Sequence, residues 1–244
     1  MTLGLQLFTV REELKKDFRG TLEEVARMGY EAVETGPVAE MEPKEYARFL
    51  KSIGLKAAGV HSGVNDFLDA GGRGYAYAKA LRAPFVTVSA MHEVEKDWSG
   101  TIEKISRAAV VARMKGFQFT YHNHHTEFIR FDGKYALDIL AERTDPKLVQ
   151  LELDTYWIKR GGEDPVAYIR RYKGRVPHIH LKDMDPADLS FTEVGNGNMD
   201  LPAIFDAAVY AGAKWIIVEQ DRWKGTGLES ARISIENLKK AGLV

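Results

Sequence analysis

The sequence predicts a single (β/α)8 barrel over residues 1–244, and three observations carry that expectation. The chain has 244 residues, near the size of one eight-fold barrel. An amphipathic helix, a Gly- or Pro-marked turn and a short β-rich apolar run recur roughly every 25 to 35 residues. The polar exceptions to the apolar runs fall again and again at strand ends, where a barrel collects its chemistry.

LGLQLF at residues 3–8 is the first strand. The turn-plus-strand halves that follow are MGYEAVE (28–34), IGLKAAGVH (53–61), RAPFVTVSA (82–90), KGFQFTYHNH (115–124), DPKLVQLELD (145–154), GRVPHIHLKD (174–183) and AGAKWIIVEQ (211–220). Between them, TLEEVARMG sets Leu22, Val25 and Ala26 on one side and ends on Gly29 as a C′ residue. PKEYARFLKSIG, SGTIEKISRAAVVARMKG, KYALDILAERT, PVAYIRRYKG and LPAIFDAAVYAG read the same way, with a further helix around 73–81. Strands alternating with helices imply a parallel sheet covered by helices, and eight units imply closure. The alternative, an open doubly wound sheet, lacks its glycine signature: no G-x-G-x-x-G lies between a strand and a helix, and VGNGNMD (194–200) does not directly follow a strand. The stretches 61–73, 122–133 and 183–200 all follow strands, which places them on the active face of a barrel.

Composition excludes several function classes. Hydrophobic residues make up 45% of the chain and charged residues 28%, as in an ordinary globular protein. With 35 acidic against 34 basic residues, no global field draws the chain to nucleic acid or an anionic membrane. No cysteine is present, so disulfides, thiolate nucleophiles and Cys-ligated zinc drop out, and any metal falls to His, Asp and Glu. MTLGLQLFTVREELKKDF has no basic segment leading into an apolar one, and no apolar run approaches a membrane span of roughly 18 residues. A cytoplasmic location is expected.

Barrel strands are normally lined by branched apolar residues, so polar groups at their ends need a reason. Here these are Gln6, Glu34, His61, Ser89, His122 with His124, Asp154, His180 with Lys182, and Glu219. Four of them, His122, Asp154, His180 and Glu219, emerge at equivalent places on the last four strands. Such a set of hard and borderline donors describes a site for one divalent ion, Mn2+ first, with Mg2+, Co2+ or Zn2+ as alternatives. In HNH (122–124) and HIH (178–180) the period of two puts both imidazoles on one face, so one of each pair can ligate while the other orients it or binds substrate. Trp157 at a strand end is a candidate wall against a sugar ring, whereas Trp215 reads as core. His92 and His125 receive no role, and the run Arg11, Glu12, Glu13, Lys15, Lys16 reads as a solvated face.

GLQLFTVRE, GYEAVE, GVHSG, FTYHNHHTEF, LELDTYW, HIHLKD with the following VGNGNMDLPAIF, and IIVEQD span the whole chain. With these pieces the chain resembles the xylose-isomerase-like superfamily of TIM barrels, in particular its sugar phosphate isomerase/epimerase branch. That superfamily holds ketose 3-epimerases, hydroxypyruvate isomerase, inosose dehydratase and the endonuclease IV group. The resemblance implies a metal held by Glu, Asp, His and Glu on strands five to eight. Asp154, His180 and Glu219 match three of these, while the fifth strand reads YHNH, making His122 the fourth ligand, with His124 as the alternative.

The implied chemistry is that of a metal-dependent sugar isomerase or epimerase. The metal chelates the carbonyl and adjacent hydroxyl of a small keto-sugar or polyol and stabilises an enediolate. With His122 in place of a carboxylate, the symmetrical two-glutamate scheme of the epimerases is in question. The catalytic group is then Glu219 or Lys182, beside His122, while Gln6, Glu34, His61, His124, Glu127, Trp157 and His178 contact substrate. Dehydration of a keto-inositol is the runner-up. A DNA-repair endonuclease is disfavoured by the neutral charge and the single ligand set, and a sugar-binding barrel without catalysis is the non-enzyme alternative. Homo-oligomers occur in the family, although no feature of this sequence specifies one.

Overall fold

The computed structural model describes residues 1–244 and contains the eight expected strands: β1 (Thr2–Gln6), β2 (Ala32–Thr35), β3 (Lys56–His61), β4 (Phe85–Val88), β5 (Gln118–His122), β6 (Val149–Asp154), β7 (His178–Leu181) and β8 (Trp215–Val218). All pair in parallel, in the closed order β1-β8-β7-β6-β5-β4-β3-β2. The sequence pattern gave the order because each apolar run can be buried on both sides only in a sheet covered by helices.

One main helix follows each strand: α1 (Phe18–Met28), α2 (Pro43–Ser52), α3 (Arg73–Leu81), α4 (Val94–Met114), α5 (Ala136–Arg143), α6 (Pro165–Arg171), α7 (Leu201–Ala211) and α8 (Gly227–Lys240). Their ends are set locally. The Asp17 carboxylate accepts from the Gly20 amide to start α1, which stops at Gly29 in the left-handed region (φ 103°). Asp164 caps α6 in front of Pro165, whose missing N–H costs nothing at a helix start. The helices pack a continuous apolar layer against the outer barrel surface, with Leu22, Tyr46, Ile105, Leu137 and Leu238 fully or nearly fully buried in it.

Inside, the two ends of the barrel differ. At the N-terminal end Ala32, Ala58 and Ile217 form a small apolar plug of their own, closed from below by Trp215, which is partly exposed. Gly4 makes this plug possible, since a Cβ there would stand 2.7 Å from Ile217 Cδ1. At the C-terminal end the interior turns polar, and the three long βα loops are ordered around it. Residues 61–73 carry a short helix (Val64–Leu68), 122–133 lead into a hairpin (Arg130–Phe131 with Lys134–Tyr135), and 183–200 form a second hairpin (Asp183–Met184 with Phe191–Thr192). The VGNGN loop gets its shape from Asp183, whose carboxylate accepts from the amides of Met184, Gly195, Gly197 and Met199 at 2.8–3.1 Å. No helix is long and apolar enough to cross a membrane.

Candidate active site

The side chains of the polar end reach one point because β5 to β8 deliver them in register. His122 on β5 is the lateral partner of Glu152 on β6, and Asp154 at the end of β6 that of His180 on β7. Glu219 follows β8, its amide bonded to Leu181 O at 3.2 Å. Donor atoms of His122, Asp154, His180 and Glu219 all lie within 4.8 Å of one another, and all four residues are buried. His122 Nε2 is 3.3 Å from Asp154 Oδ2, and His180 Nδ1 is 2.7 Å from Glu219 Oε2.

Lys182 shares this centre. Its Nζ is 3.1 Å from Asp154, 2.9 Å from Glu219 and 2.8 Å from Asp221. Burial alone would lower its pKa, but these three carboxylates outweigh burial and hold the ammonium above its usual range. Of the two roles open to Lys182, base or cation facing a substrate anion, this pairing with three carboxylates favours the cation. Burial also acts on Asp154 and Glu219 and would raise both, yet Lys182 with the neighbouring imidazoles keeps them below the ordinary carboxylate range. For His180, burial is overcome by Glu152, Glu219 and Glu34, which raise it well above the usual histidine value.

A divalent ion fits this donor set. Two carboxylates and two imidazoles, buried and converging, are what Mn2+, Zn2+ or a similar ion binds. The ammonium of Lys182 lodged between Asp154 and Glu219 shows that the cluster accommodates positive charge. His180 has the support expected of a metal-bound imidazole, its far nitrogen Nε2 lying 2.7 Å from Glu34 and 2.8 Å from Glu152.

The cluster forms the floor of a cavity of about 450 Å³ lined by Gln6, His61, Ser89, His122, His124, Lys182, Glu219 and Asp221, with Leu7, Phe8, Arg11, Leu14 and Val38 towards the rim. His124 lies just beyond the end of β5, its ring 4.8 Å from that of His122. Burial lowers the pKa of His124 and of His61, so both imidazoles are neutral at physiological pH and can donate and accept at once.

Several expected substrate contacts lie elsewhere. Glu127 is fully buried outside the barrel, accepting from Tyr121 OH at 2.6 Å, the His124 amide at 2.9 Å and Thr126 Oγ1 at 2.9 Å. It braces the β5 loop and does not reach the cavity. His178 sits a layer below the floor, stacked on Phe85 at 4.4 Å and 2.9 Å from Glu152, so it too is withdrawn from substrate. Glu34 is equally deep, taking bonds from Gln6 Nε2 at 2.6 Å and Thr87 Oγ1 at 3.1 Å. Trp157 stands behind His124 and Lys182, 5.5 Å from each, and backs the wall instead of lining it.

Arg11 corrects the reading of its charge run as a solvated face. The guanidinium lies between the Phe8 and Trp223 rings, 4.0 and 4.4 Å away, and donates to the carbonyls of Phe8 and Asp221. It ties the β1 loop to the β8 loop at the cavity rim. Asp221 and Glu152 were missed although VEQD and LELD each repeat a carboxylate at a spacing of two: in LELD this puts both on the interior side of β6, and just past the end of β8 Glu219 and Asp221 both turn to Lys182.

The sequence profile of the xylose isomerase-like TIM barrels matches residues 22–241. An inosose dehydratase of Geobacillus kaustophilus is 27% identical over 82% of this chain and 79% of its own length, and one of Lacticaseibacillus casei is 29% identical over 90% and 88%. Among solved structures, a sugar phosphate isomerase/epimerase of Parabacteroides distasonis superposes with a TM-score of 0.85 at 23% identity, covering 100% of this chain and 95% of that one. With the profile covering nearly all of it, the chain belongs to the xylose isomerase-like TIM barrel family.

Proposed function

We propose that this protein takes the proton beside the carbonyl of a small keto-polyol, a keto-inositol or keto-sugar, and releases water from the neighbouring carbon as a metal-dependent dehydratase. The observation that carries this reading is the one-sided distribution of carboxylates in the cavity. Glu219 and Asp221 both face it from the β8 end, bridged by Lys182, whereas the β5 side offers the imidazoles of His122 and His124. Proton exchange at one carbon between two opposed carboxylates is not available here.

His122, Asp154, His180 and Glu219 would hold a divalent ion, which would supply the Lewis acidity that makes the C–H beside the substrate carbonyl acidic. Glu219 accepts that proton. The fixed ammonium of Lys182 faces the negative charge left on the substrate. Glu219 then passes that proton to the departing hydroxyl, so that one water leaves for each substrate, while Asp221 keeps the Lys182 ammonium in place at 2.8 Å. Gln6, His61, Ser89 and His124 hold the remaining hydroxyls, the neutral imidazoles answering donor and acceptor alike. The inosose dehydratase relatives support this choice of substrate, and a zinc-holding structural neighbour of this fold, the IolI protein (TM-score 0.74, 16% identity, 98% of this chain and 97% of that one), supports the metal.

An isomerase or epimerase is the second reading, favoured by neutral His124, which can return a proton to the substrate from the β5 side. Incubating Mn2+-loaded protein with a keto-inositol in D2O separates them. Dehydration gives an enone absorbance and a product lighter by one water. Isomerisation or epimerisation incorporates deuterium with no loss of water. Absence of both across keto-inositols and keto-sugars would contradict the proposal.

A further inference from the structure

We propose that the barrel has a second cation site one layer below the cavity floor, formed by Glu34 of β2, Glu152 of β6 and His178 of β7, for a divalent transition metal such as Mn2+ or Zn2+. Each of the three side chains is 0% exposed, and one ligand atom from each lies within 4.8 Å of the others. Glu152 and His178 are lateral partners on adjacent strands, and Glu34 comes from the far side of the barrel. The space for Glu34 is provided by Gly59, where a Cβ would stand 2.9 Å from Glu34 Oε1.

Hydrogen bonding accounts for Glu34 but not for its neighbours. Glu152 Oε1 lies 2.8 Å from His180 Nε2, which is also 2.7 Å from Glu34 and so is shared between the two carboxylates, while Glu152 Oε2 and His178 Nδ1 are buried without a hydrogen-bond partner, a costly condition for polar groups in a dry interior. His178 Nδ1 is nevertheless 2.9 Å from Glu152 Oε1. Close contact without hydrogen-bond alignment is the relation of two ligands on adjacent corners of one metal. At metal–ligand distances of about 2.1 Å, such corners are about 3.0 Å apart, and the nitrogen lone pair points beside the oxygen, towards the ion.

Charge points the same way. Glu34, Glu152, Asp154, Glu219 and Asp221 bring five carboxylates into the polar end, and Lys182 is the one ammonium or guanidinium paired with them. A divalent ion in the upper cluster still leaves two negative charges with neutral imidazoles, and a second divalent ion cancels them. Two carboxylates and one imidazole are a donor set suited to borderline divalent metals. The competing account is two protons, one on His178 and one shared near Glu34, with no ion.

Metal content separates the two accounts. The wild-type chain and the variants Glu152→Gln, His178→Asn and Asp154→Asn are purified from Mn2+-supplemented cells, because a site with no exposure loads as the chain folds. Each is desalted and its Mn2+ measured by elemental analysis, with circular dichroism confirming a folded barrel. Two ions per wild-type chain are expected, falling to one in each variant. Crystals with anomalous scattering should show the remaining ion in the upper cluster for Glu152→Gln and His178→Asn, and in the lower one for Asp154→Asn. One ion or none in the wild-type chain, two retained in Glu152→Gln and His178→Asn, or loss of both ions from these folded variants would overturn the proposal.

Discussion

The two ends of this barrel solve the same packing problem in opposite ways. At the N-terminal end, Gly4, Ala32, Ala58 and Ile217 fill the interior with small apolar volume. At the C-terminal end β2, β5, β6 and β7 carry Glu34, His122, Glu152, Asp154, His178 and His180, all at most 3% exposed. The first arrangement stabilises by burial; the second places charge where desolvation is costly and is offset only by pairing. A residue at the bottom should therefore matter to stability and be silent in metal binding, and a residue at the mouth should do the reverse.

The largest expected effect lies at the bottom. Ile217→Ala should cost about 2–5 kcal/mol in urea unfolding through the cavity it opens, while Mn2+ affinity measured by calorimetry on the folded variant stays within about twofold. Next, Asp154→Asn keeps the size of the side chain and its bond from the Trp157 amide at 2.9 Å, but loses an anionic ligand. Its Mn2+ affinity should fall by at least about 100-fold, with a smaller loss of stability in the metal-free chain than for Ile217→Ala, because Lys182 keeps Glu219 and Asp221 as partners. An equally large loss of stability would break the comparison.

A smaller effect is expected from pH. The metal-free fold raises the pKa of His180, so the stability this proton contributes is fully present below the unfolded histidine value, near pH 6.5, and is lost as pH rises through the raised folded value. An ion at Nδ1 must displace that proton, whereas Asp154 and Glu219 are already ionised in this window. Mn2+ affinity should rise with pH above about 6.5, by up to about tenfold per pH unit, in calorimetric titrations. A flat profile would mean that His180 is not a ligand. The smallest effect is Tyr121→Phe, which removes the 2.6 Å bond to Glu127. It should cost about 1 kcal/mol of stability, since Glu127 keeps its bonds from the His124 amide and Thr126, and leave Mn2+ affinity within about twofold.

The same contrast explains what the sequence could reveal. Barrel order was legible because apolar runs and helix stops repeat, and Asp154, His180 and Glu219 were legible because polar residues stand out at apolar strand ends. Depth was harder to read. His178 shares a face with His180, but two residues along a strand is about 6.6 Å, enough to move it from cavity to interior. Glu127 was misplaced because no periodicity governs the turn Thr126–Phe128, which carries it back outside to Tyr121. Arg11 opens a short helix at the rim, and its local run of charges says nothing of Trp223, which arrives from the far end of the chain.

Anomalous diffraction from crystals of the Mn2+-loaded protein tests the metal centre most directly. The predicted result is an ion about 2.0–2.3 Å from His122 Nε2, Asp154 Oδ2, His180 Nδ1 and Glu219 Oε2, with Lys182 still paired to Asp221. Saturating Mn2+ that leaves this cluster without an anomalous peak, and Lys182 still held between Asp154 and Glu219, would contradict it.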